Sequence, residues 1–143
     1  MLFGKRKRIV NRILIVEDEP LTAFDTENLI RDQGYEVVAT LDRFADAIQT
    51  LAKESIDLIL CDVQLTGERT GIDLAREARR RGIPVLFVTG DAPDNAGELV
   101  IGVLAKPYND RTLKSALTAI DCYLAGEKAR PPRGLTLFPK AEV

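Results

Sequence analysis

The chain has no histidine among its 143 residues. A mechanism that depends on a histidine side chain is therefore excluded, and so is a metal site with histidine ligands. Cysteine is scarce as well: Cys61 and Cys122 are the two in the chain, too few for a disulfide framework. Cys61 falls in a predicted core strand and Cys122 in a predicted helix, so both are predicted to be reduced thiols of a cytosolic protein.

Long hydrophobic runs are also missing. No apolar stretch approaches the length of about 18 residues that a transmembrane helix needs. Residues 1–8 lack the apolar stretch and cleavage site of a secretory signal. Aromatic residues make up 6% of the chain against 45% hydrophobic residues, a balance typical of an α/β protein with an aliphatic core. We expect a cytoplasmic protein that does not contact a membrane.

The net charge of −2 conceals an uneven distribution along the chain. Residues 1–12 carry five basic residues and no acidic one, whereas residues 13–126 carry 20 acidic and 11 basic residues. An acidic body attracts cations and does not by itself attract nucleic acid. The basic arm can touch a phosphate backbone, but it has no recognition element. We interpret it as a solvated tail rather than a nucleic-acid interface.

Short apolar runs alternate with helical patterns five times along the chain, an arrangement typical of repeated βαβ units. The predicted strands cover residues 13–17, 36–41, 57–62, 84–88 and 101–105. The segment between the last two strands, residues 90–100, contains two glycines and a proline, which leave room for barely one helical turn. The pattern predicts an α/β fold with a five-stranded parallel sheet and a short or mobile fourth helix.

One domain over residues 12–126 accounts for this pattern and has the usual length of a single domain. Residues 1–11 are predicted to form a basic N-terminal arm. Residues 127–143 contain Pro131 and Pro132 and are too short for a second domain. They are predicted to form a C-terminal tail.

Polar side chains follow four of the predicted strands at the point where each strand ends. They are Glu17 and Asp18, Asp62, Thr89, and Lys106. Open α/β sheets place their ligand sites at the carboxyl ends of parallel strands. We therefore expect three carboxylates, one hydroxyl and one ammonium to converge on one edge of the sheet.

This set of groups suits the transfer of a phosphoryl group onto a carboxylate, because such a transfer needs an oxygen nucleophile and positive charge on the transferring oxygens. Asp62 is the predicted nucleophile. Glu17 and Asp18 are predicted to bind Mg²⁺ together with Asp62, and the main-chain carbonyl of Gln64 could complete the protein ligands.

The two remaining groups of the set have complementary roles. Lys106 supplies a compact cation for one phosphoryl oxygen, and the Thr89 hydroxyl can donate a hydrogen bond to another. Each residue also has a plain structural interpretation. An aspartate that ends a strand often forms a turn or caps a helix, and acids such as Glu17 often lie at helix N-termini. The placement of the whole set at strand ends favours the chemical interpretation.

Four motifs resemble the receiver domain of bacterial response regulators, the phosphoacceptor partners of histidine kinases. The motifs are Val16-Glu17-Asp18-Glu19-Pro20, Asp57-Leu58-Ile59-Leu60-Cys61-Asp62, Val88-Thr89-Gly90 and Ala105-Lys106-Pro107-Tyr108. The resemblance covers residues 12–126 and implies the doubly wound (βα)5 fold with flavodoxin-like strand order. It also implies that Glu17 and Asp18 are the acidic metal pair, Asp62 the phosphorylated aspartate, Thr89 the switch hydroxyl and Lys106 the lysine that usually precedes a cis proline.

The chain departs from the common receiver pattern in three places. Leu65-Thr66-Gly67 replaces the usual Met-Pro-Gly, Val103 stands where an aromatic switch residue is usual, and the stretch from Thr89 to Lys106 is shorter. Together with Phe87-Val88-Thr89-Gly90, these features resemble the "FAT GUY" subgroup, which includes single-domain regulators.

The resemblance implies a stand-alone phosphoacceptor signalling protein rather than an enzyme in the ordinary sense, although it would catalyse its own phosphorylation and dephosphorylation. Its partners would be a histidine kinase or phosphotransfer protein and a downstream protein, or it would act as a phosphate sink. The alternative is a receiver-like binding module that works without phosphate. The intact set of Glu17, Asp18, Asp62, Thr89 and Lys106 argues against that alternative.

Overall fold

The computed structural model of the protein describes residues 7–65 and 70–139. In chain order the elements are β1 (Arg12–Val16), α1 (Pro20–Asp32), β2 (Glu36–Leu41), α2 (Phe44–Lys53), β3 (Leu58–Cys61), α3 (Gly71–Arg80), β4 (Val85–Thr89), α4 (Ala96–Leu99), β5 (Gly102–Ala105), α5 (Asp110–Leu124) and β6 (Leu135–Leu137). The strands form one sheet in the order β2-β1-β3-β4-β5-β6. The neighbouring pairs from β2 to β5 are parallel, and β6 runs antiparallel to β5.

The five parallel strands and their flavodoxin-like order are confirmed. The predicted count of five is too low, because Leu135–Leu137 adds a sixth strand at the β5 edge. This strand has three residues and follows two prolines, so it has no alternating pattern that the sequence could reveal. The short fourth helix is confirmed, since α4 spans the four residues Ala96–Leu99. Thr66 and Gly67, where the sequence departs from the usual Met-Pro-Gly, lie outside the described residues.

Two hydrophobic cores lie on opposite faces of the sheet, because successive side chains of a strand point to opposite sides. On one face, strand residues such as Ile13 and Leu60 pack with Leu117 and Ile120 of α5. On the other, strand residues that include Phe87 pack against α2, α3 and α4. All five residues of β4 are buried, as expected for a central strand covered by helices on both sides.

Capping side chains let the chain turn from a strand into the next helix within a few residues. The Glu19 carboxylate accepts hydrogen bonds from the N–H groups of Leu21 and Thr22 at the start of α1, at 3.3 and 2.8 Å. Asn109 accepts one from Thr112 N–H at the start of α5, at 2.8 Å. These caps satisfy donors that the first helical turn leaves unpaired. The first turns of α1 and α5 therefore begin close to the ends of β1 and β5.

The residues just before β1 are packed onto the domain. The buried Asp121 carboxylate of α5 accepts hydrogen bonds from Ile9 N–H and Val10 N–H at 2.9 and 2.7 Å, and Val10 is buried in the core. The Arg8 guanidinium lies over the Tyr35 ring, 3.9 Å from its centroid. The described part of the predicted basic arm is therefore engaged with the domain itself. Residues 1–6 of that arm lie outside the described part.

None of the helices within residues 7–65 and 70–139 is long and apolar enough to cross a membrane.

Candidate functional site

The candidate site lies at the carboxyl edge of the sheet. The β1–β3 register pairs Val16 with Cys61, and the β4–β5 register pairs Thr89 with Ala105. Because these strands are parallel and end at matching positions, the residues that follow them lie together at the carboxyl edge of the sheet. Asp62 N–H donates to the carbonyl of Val16 at 2.9 Å, which holds the main chain of Asp62 beside the end of β1.

Three carboxylates meet at this edge. Glu17, Asp18 and Asp62 each offer an oxygen, and the three oxygens lie within 4.8 Å of one another. Glu17 is 7% exposed and Asp62 is 8% exposed. Main-chain donors orient both: Glu19 N–H bonds Glu17 Oε2 at 3.0 Å, and Gln64 N–H bonds Asp62 Oδ1 at 3.1 Å. The predicted acidic cluster is thus assembled from β1 and β3.

Lys106 bridges two of these carboxylates from the end of β5. Its Nζ donates to Asp62 Oδ2 at 3.0 Å and also to Glu17 Oε1. Burial alone lowers the pKa of Lys106, but the hydrogen bonds to Glu17 and Asp62 outweigh it, so the pKa is raised. Burial raises the pKa of Glu17, and the hydrogen bond from Lys106 offsets this only in part. Lys106 therefore stays charged at neutral pH.

The donor set at this edge fits a magnesium ion. Three carboxylates against one ammonium leave an excess of two negative charges when all four are ionised. Mg²⁺ is a hard cation that binds carboxylate oxygen and retains several waters. Glu17, Asp18 and Asp62 supply oxygen ligands on one side, and the partial exposure of the site leaves room for water. The residues present therefore suit the ion that the sequence predicts.

Thr89 ends β4 at the same edge, but its hydroxyl faces the following loop. Thr89 Oγ1 accepts a hydrogen bond from Asp91 N–H at 3.1 Å and lies 3.3 Å from the Asp91 carbonyl, to which it donates. The main chain of Thr89 contacts the site through its carbonyl, which accepts from Lys106 N–H at 3.0 Å. The structure thus places Glu17, Asp18, Asp62 and Lys106 at one site, and the Thr89 hydroxyl is bonded to Asp91 instead.

The main chain behind Asp62 is held by residues that the sequence analysis missed. A Cβ on Gly71 would lie 2.0 Å from the Asp62 carbonyl oxygen, so this position requires glycine. Gly71 N–H donates to the Val63 carbonyl at 2.9 Å, which closes the loop onto the site. The Cys61 thiol donates to the Asp62 carbonyl at 3.1 Å, and burial raises the pKa of that thiol. The one feature of the sequence that could have indicated this close approach is a glycine, Gly71, at the start of a predicted helix.

The opposite side of the site is bounded by α1 and the segment after β5. The Tyr108 hydroxyl is hydrogen-bonded to the Thr26 hydroxyl of α1, and the Lys106–Pro107 peptide bond is cis. A cavity of about 680 Å³ opens between these elements, lined by residues that include Asp25 and Lys106. The site therefore adjoins a recess on the α1 side of the molecule.

Comparison with known proteins points to one family. A family model described as the response regulator receiver domain matches residues 13–118. The Escherichia coli aerobic respiration control protein ArcA is 34% identical over 109 residues, which cover 71% of this chain and 44% of ArcA. The solution structure of SdrG from Sphingomonas melonis matches with a TM-score of 0.65 and 31% identity, over 76% of this chain and 94% of SdrG.

A further solved structure bears on the metal. The receiver domain of the sensor histidine kinase PA1611 from Pseudomonas aeruginosa, described with a magnesium ion coordinated in its active-site cleft, matches with a TM-score of 0.66 and 27% identity. The match covers 76% of this chain and 95% of that domain. The chain spans about half the length of the curated relatives it matches, with values of 44%, 43% and 56% for three of them.

Proposed function

The chain belongs to the response regulator receiver domain family, and from this we propose that it accepts a phosphoryl group on Asp62 in the presence of Mg²⁺. Proteins of this family are signalling proteins rather than classical enzymes. One observation carries the proposal: the Lys106 ammonium bonds Asp62 in a cluster of three carboxylates. A nucleophile, a cation and metal ligands are thus within reach of one another.

Asp62 is the proposed nucleophile. One of its carboxylate oxygens attacks phosphorus, an O–P bond forms while the P–N bond of a phosphohistidine breaks, and the departing imidazole takes up a proton from solvent. Lys106 binds one phosphoryl oxygen, and the Thr89 hydroxyl turns from Asp91 to bind another. Hydrolysis then removes the group: water attacks phosphorus, the O–P bond to Asp62 breaks, and inorganic phosphate and the free Asp62 carboxylate are released.

We propose that Glu17, Asp18, Asp62 and the main-chain carbonyl of Gln64 hold the Mg²⁺ ion. When bound, the ion supplies positive charge that offsets repulsion between the carboxylates and an incoming phosphoryl group. The hydrogen bonds of Glu17 with Glu19 N–H and of Asp62 with Gln64 N–H support this assignment, because they fix the orientation of two of the ligands.

The proposed phosphoryl donor is a histidine kinase or a phosphotransfer protein that docks on α1. Leu21 and Phe24 are 73% and 64% exposed, and their spacing of three residues places them side by side on α1. Adjacent exposed apolar side chains form the kind of patch that marks a protein–protein contact. Both residues lie on the helix that borders the recess beside Lys106. We further propose that residues 12–126 form the phosphoacceptor unit and that the phosphorylated unit signals to a downstream protein.

Treatment with acetyl phosphate tests the proposal without a kinase. Intact mass spectrometry is expected to find one added phosphoryl group when Mg²⁺ is present and none when it is removed by chelation. The Asp62→Asn variant keeps the size and polarity of the side chain but loses the nucleophilic charge, and it is expected to stay unmodified. A protein that gains no phosphoryl group under either condition would instead be a phosphate-independent binding module.

A further inference from the structure

The segment Gly134–Phe138, which we call the C-terminal strap, covers the edge of β5. Its strand β6 pairs antiparallel with β5, with Leu135 opposite Leu104 and Leu137 opposite Gly102. Two further hydrogen bonds extend the pairing at both ends: Ala105 N–H donates to the Gly134 carbonyl and Phe138 N–H to the Ile101 carbonyl, each at 2.9 Å. The whole length of β5 is therefore shielded from any other strand.

Two glycines under the strap allow this close approach. A Cβ on Gly102 of β5 would lie 2.5 Å from the Thr136 carbonyl oxygen, so a larger residue would push the strap away. A Cβ position built on Gly97 of α4 lies 3.5 Å from the Phe138 ring. The ring therefore packs directly on the backbone of α4. The Phe138 carbonyl also accepts a hydrogen bond from the Tyr123 hydroxyl of α5 at 2.6 Å.

The strap thus joins three elements, α4, β5 and α5, on one side of the protein. It is also short for a strand at the edge of a sheet. Its ladder is three residues long, Thr136 on its outer side is exposed, and the connection from α5, residues 125–134, contains no helix or strand. A short strand that is paired on one side only opens at a lower free-energy cost than the central strands of the same sheet.

The strap reaches within one residue of the candidate site. The Ala105 N–H that bonds Gly134 immediately precedes Lys106, and Lys106 N–H bonds the Thr89 carbonyl at 3.0 Å. On the α4 side, the loop that leads to Gly97 begins at Thr89, whose hydroxyl is bonded to Asp91. A movement of Thr89 and Lys106 toward a phosphoryl group therefore acts on both attachments of the strap, the one on β5 and the one on α4.

We propose that the C-terminal strap is an autoinhibitory cover, which clamps α4 against β5 and loosens when a phosphoryl group on Asp62 draws in Thr89 and Lys106. The inference rests on the proposed function of that site. Release uncovers the β5 edge and the side of α4 that Phe138 occupies. The coupling is reciprocal by linkage: if occupation of the site loosens the strap, weakening the strap favours occupation of the site.

Hydrogen–deuterium exchange of the full chain, with and without beryllofluoride and Mg²⁺, tests the release. Fluorine NMR establishes that beryllofluoride, a phosphoryl mimic, is bound. The expected result is an exchange rate at least tenfold higher for the amides of Phe138 and Ala105 in the bound protein. Unchanged or slower exchange of these amides with beryllofluoride bound overturns the inference. Absence of a bound-fluoride signal counts against the proposed function instead.

Strap variants test the reciprocal coupling. Phe138→Ala removes the ring from α4, and Gly102→Ala pushes the strap from the β5 side, so both are expected to tighten beryllofluoride binding at least threefold. Thr136→Ala changes an exposed side chain of the same strand and serves as the matched control. Unchanged affinity in both strap variants, with folding confirmed by circular dichroism, overturns the inference.

The clamp on α4 is tested without any phosphoryl mimic. Phe138→Ala is expected to speed exchange of the amides in residues 96–100 at least tenfold relative to Thr136→Ala, because α4 has lost the ring that packs on it. Equal exchange in the two variants shows that the strap does not hold α4 and overturns the inference, whatever the outcome at Asp62.

Discussion

The ammonium of Lys106 donates a hydrogen bond to Asp62 Oδ2 at 3.0 Å, across the width of β4. The two residues are 44 positions apart in the chain and follow strands that do not touch each other. Lys106 contacts Glu17 in the same way from a distance of 89 positions. The Lys106 ammonium therefore balances part of the negative charge of the carboxylates that follow β1 and β3. The remaining negative charge attracts a divalent ion.

Magnesium is expected to stabilise the protein. Under chelation the three carboxylates repel one another, and ligand linkage predicts a gain of about 1.4 kcal/mol when the ion is present at ten times its Kd. A gain of this size raises the melting temperature by about 3–6 °C. Calorimetry of the wild type and of Asp18→Asn across a Mg²⁺ titration measures it.

In Asp18→Asn, the melting temperature without Mg²⁺ is expected to rise, because one repelling charge is gone, and the gain from Mg²⁺ is expected to shrink. A melting temperature that is insensitive to Mg²⁺ in both proteins would contradict the proposed metal site.

As the pH falls, Mg²⁺ binding is expected to weaken at a higher pH than it would at a site whose carboxylates have ordinary pKa values. Burial raises the pKa of Glu17 above its usual value of 4.5, so protons compete with the ion for this ligand at a higher pH. Without Mg²⁺ the folded state binds this proton more tightly than the unfolded chain does. The contribution of Glu17 to stability is therefore present below pH 4.5 and lost as the pH rises through the raised folded-state pKa.

Isothermal titration calorimetry with Mg²⁺ between pH 8 and pH 5 checks this prediction. Glu17→Gln is the control, since it removes the titrating group and is expected to bind more weakly and with a flatter dependence on pH. Constant affinity of the wild type down to pH 5 would contradict proton competition at Glu17, and unchanged affinity in Glu17→Gln at pH 8 would show that Glu17 is not a ligand.

The segment 90–100 is expected to respond to phosphorylation through Thr89. The single proton of the Thr89 hydroxyl is donated to the Asp91 carbonyl in this structure, so a bond to a phosphoryl oxygen requires that this contact break. Hydrogen exchange of residues 90–100 is therefore expected to change on beryllofluoride binding in the wild type, and much less in Thr89→Ala. Thr89→Ser keeps the hydroxyl and is expected to respond like the wild type. An equal response in all three proteins would exclude a role for the hydroxyl.

Phe24 is expected to matter for transfer from a kinase but not from a small donor. Its ring is 64% exposed on α1, and truncation of an interface residue that contributes to binding costs more than about 1 kcal/mol. Phe24→Ala should therefore slow phosphotransfer about tenfold and leave the rate with acetyl phosphate unchanged. Asp32→Ala, at the exposed far end of the same helix, is the control. If both donors are slowed equally, the ring supports the site itself rather than docking.

The central strands and the polar residues at their ends could be predicted, because both depend on the local sequence alone. The run that ends in Cys61 is apolar on both faces, so it could be recognised as a central strand, and the polar residues after such strands had to meet at one edge of a parallel sheet. The magnesium ligands and Lys106 could be proposed for this reason.

The unpredicted parts depend on contacts between distant segments. β6 is three residues long and is defined by its pairing with β5 rather than by its own pattern. Nothing in the local sequence distinguishes Gly102 from other glycines in strands. The reason for a glycine here is the close approach of the Thr136 carbonyl oxygen. The orientation of the Thr89 hydroxyl depends on the path of the following loop, which places the Asp91 main chain against it, and the local sequence does not reveal that path.

The position of the phosphoryl group tests the central claim most directly. After treatment with acetyl phosphate and Mg²⁺, borohydride reduces an aspartyl phosphate to homoserine, and peptide mass spectrometry then identifies the modified position. Homoserine is expected at position 62, with none at Asp18 in the same cluster or at Asp57, which lies at the opposite end of β3 and accepts hydrogen bonds from the main chain of Asn11 and Arg12. Homoserine at either of those positions, or a phosphoryl group that still loads onto Asp62→Asn at the wild-type rate, would contradict it.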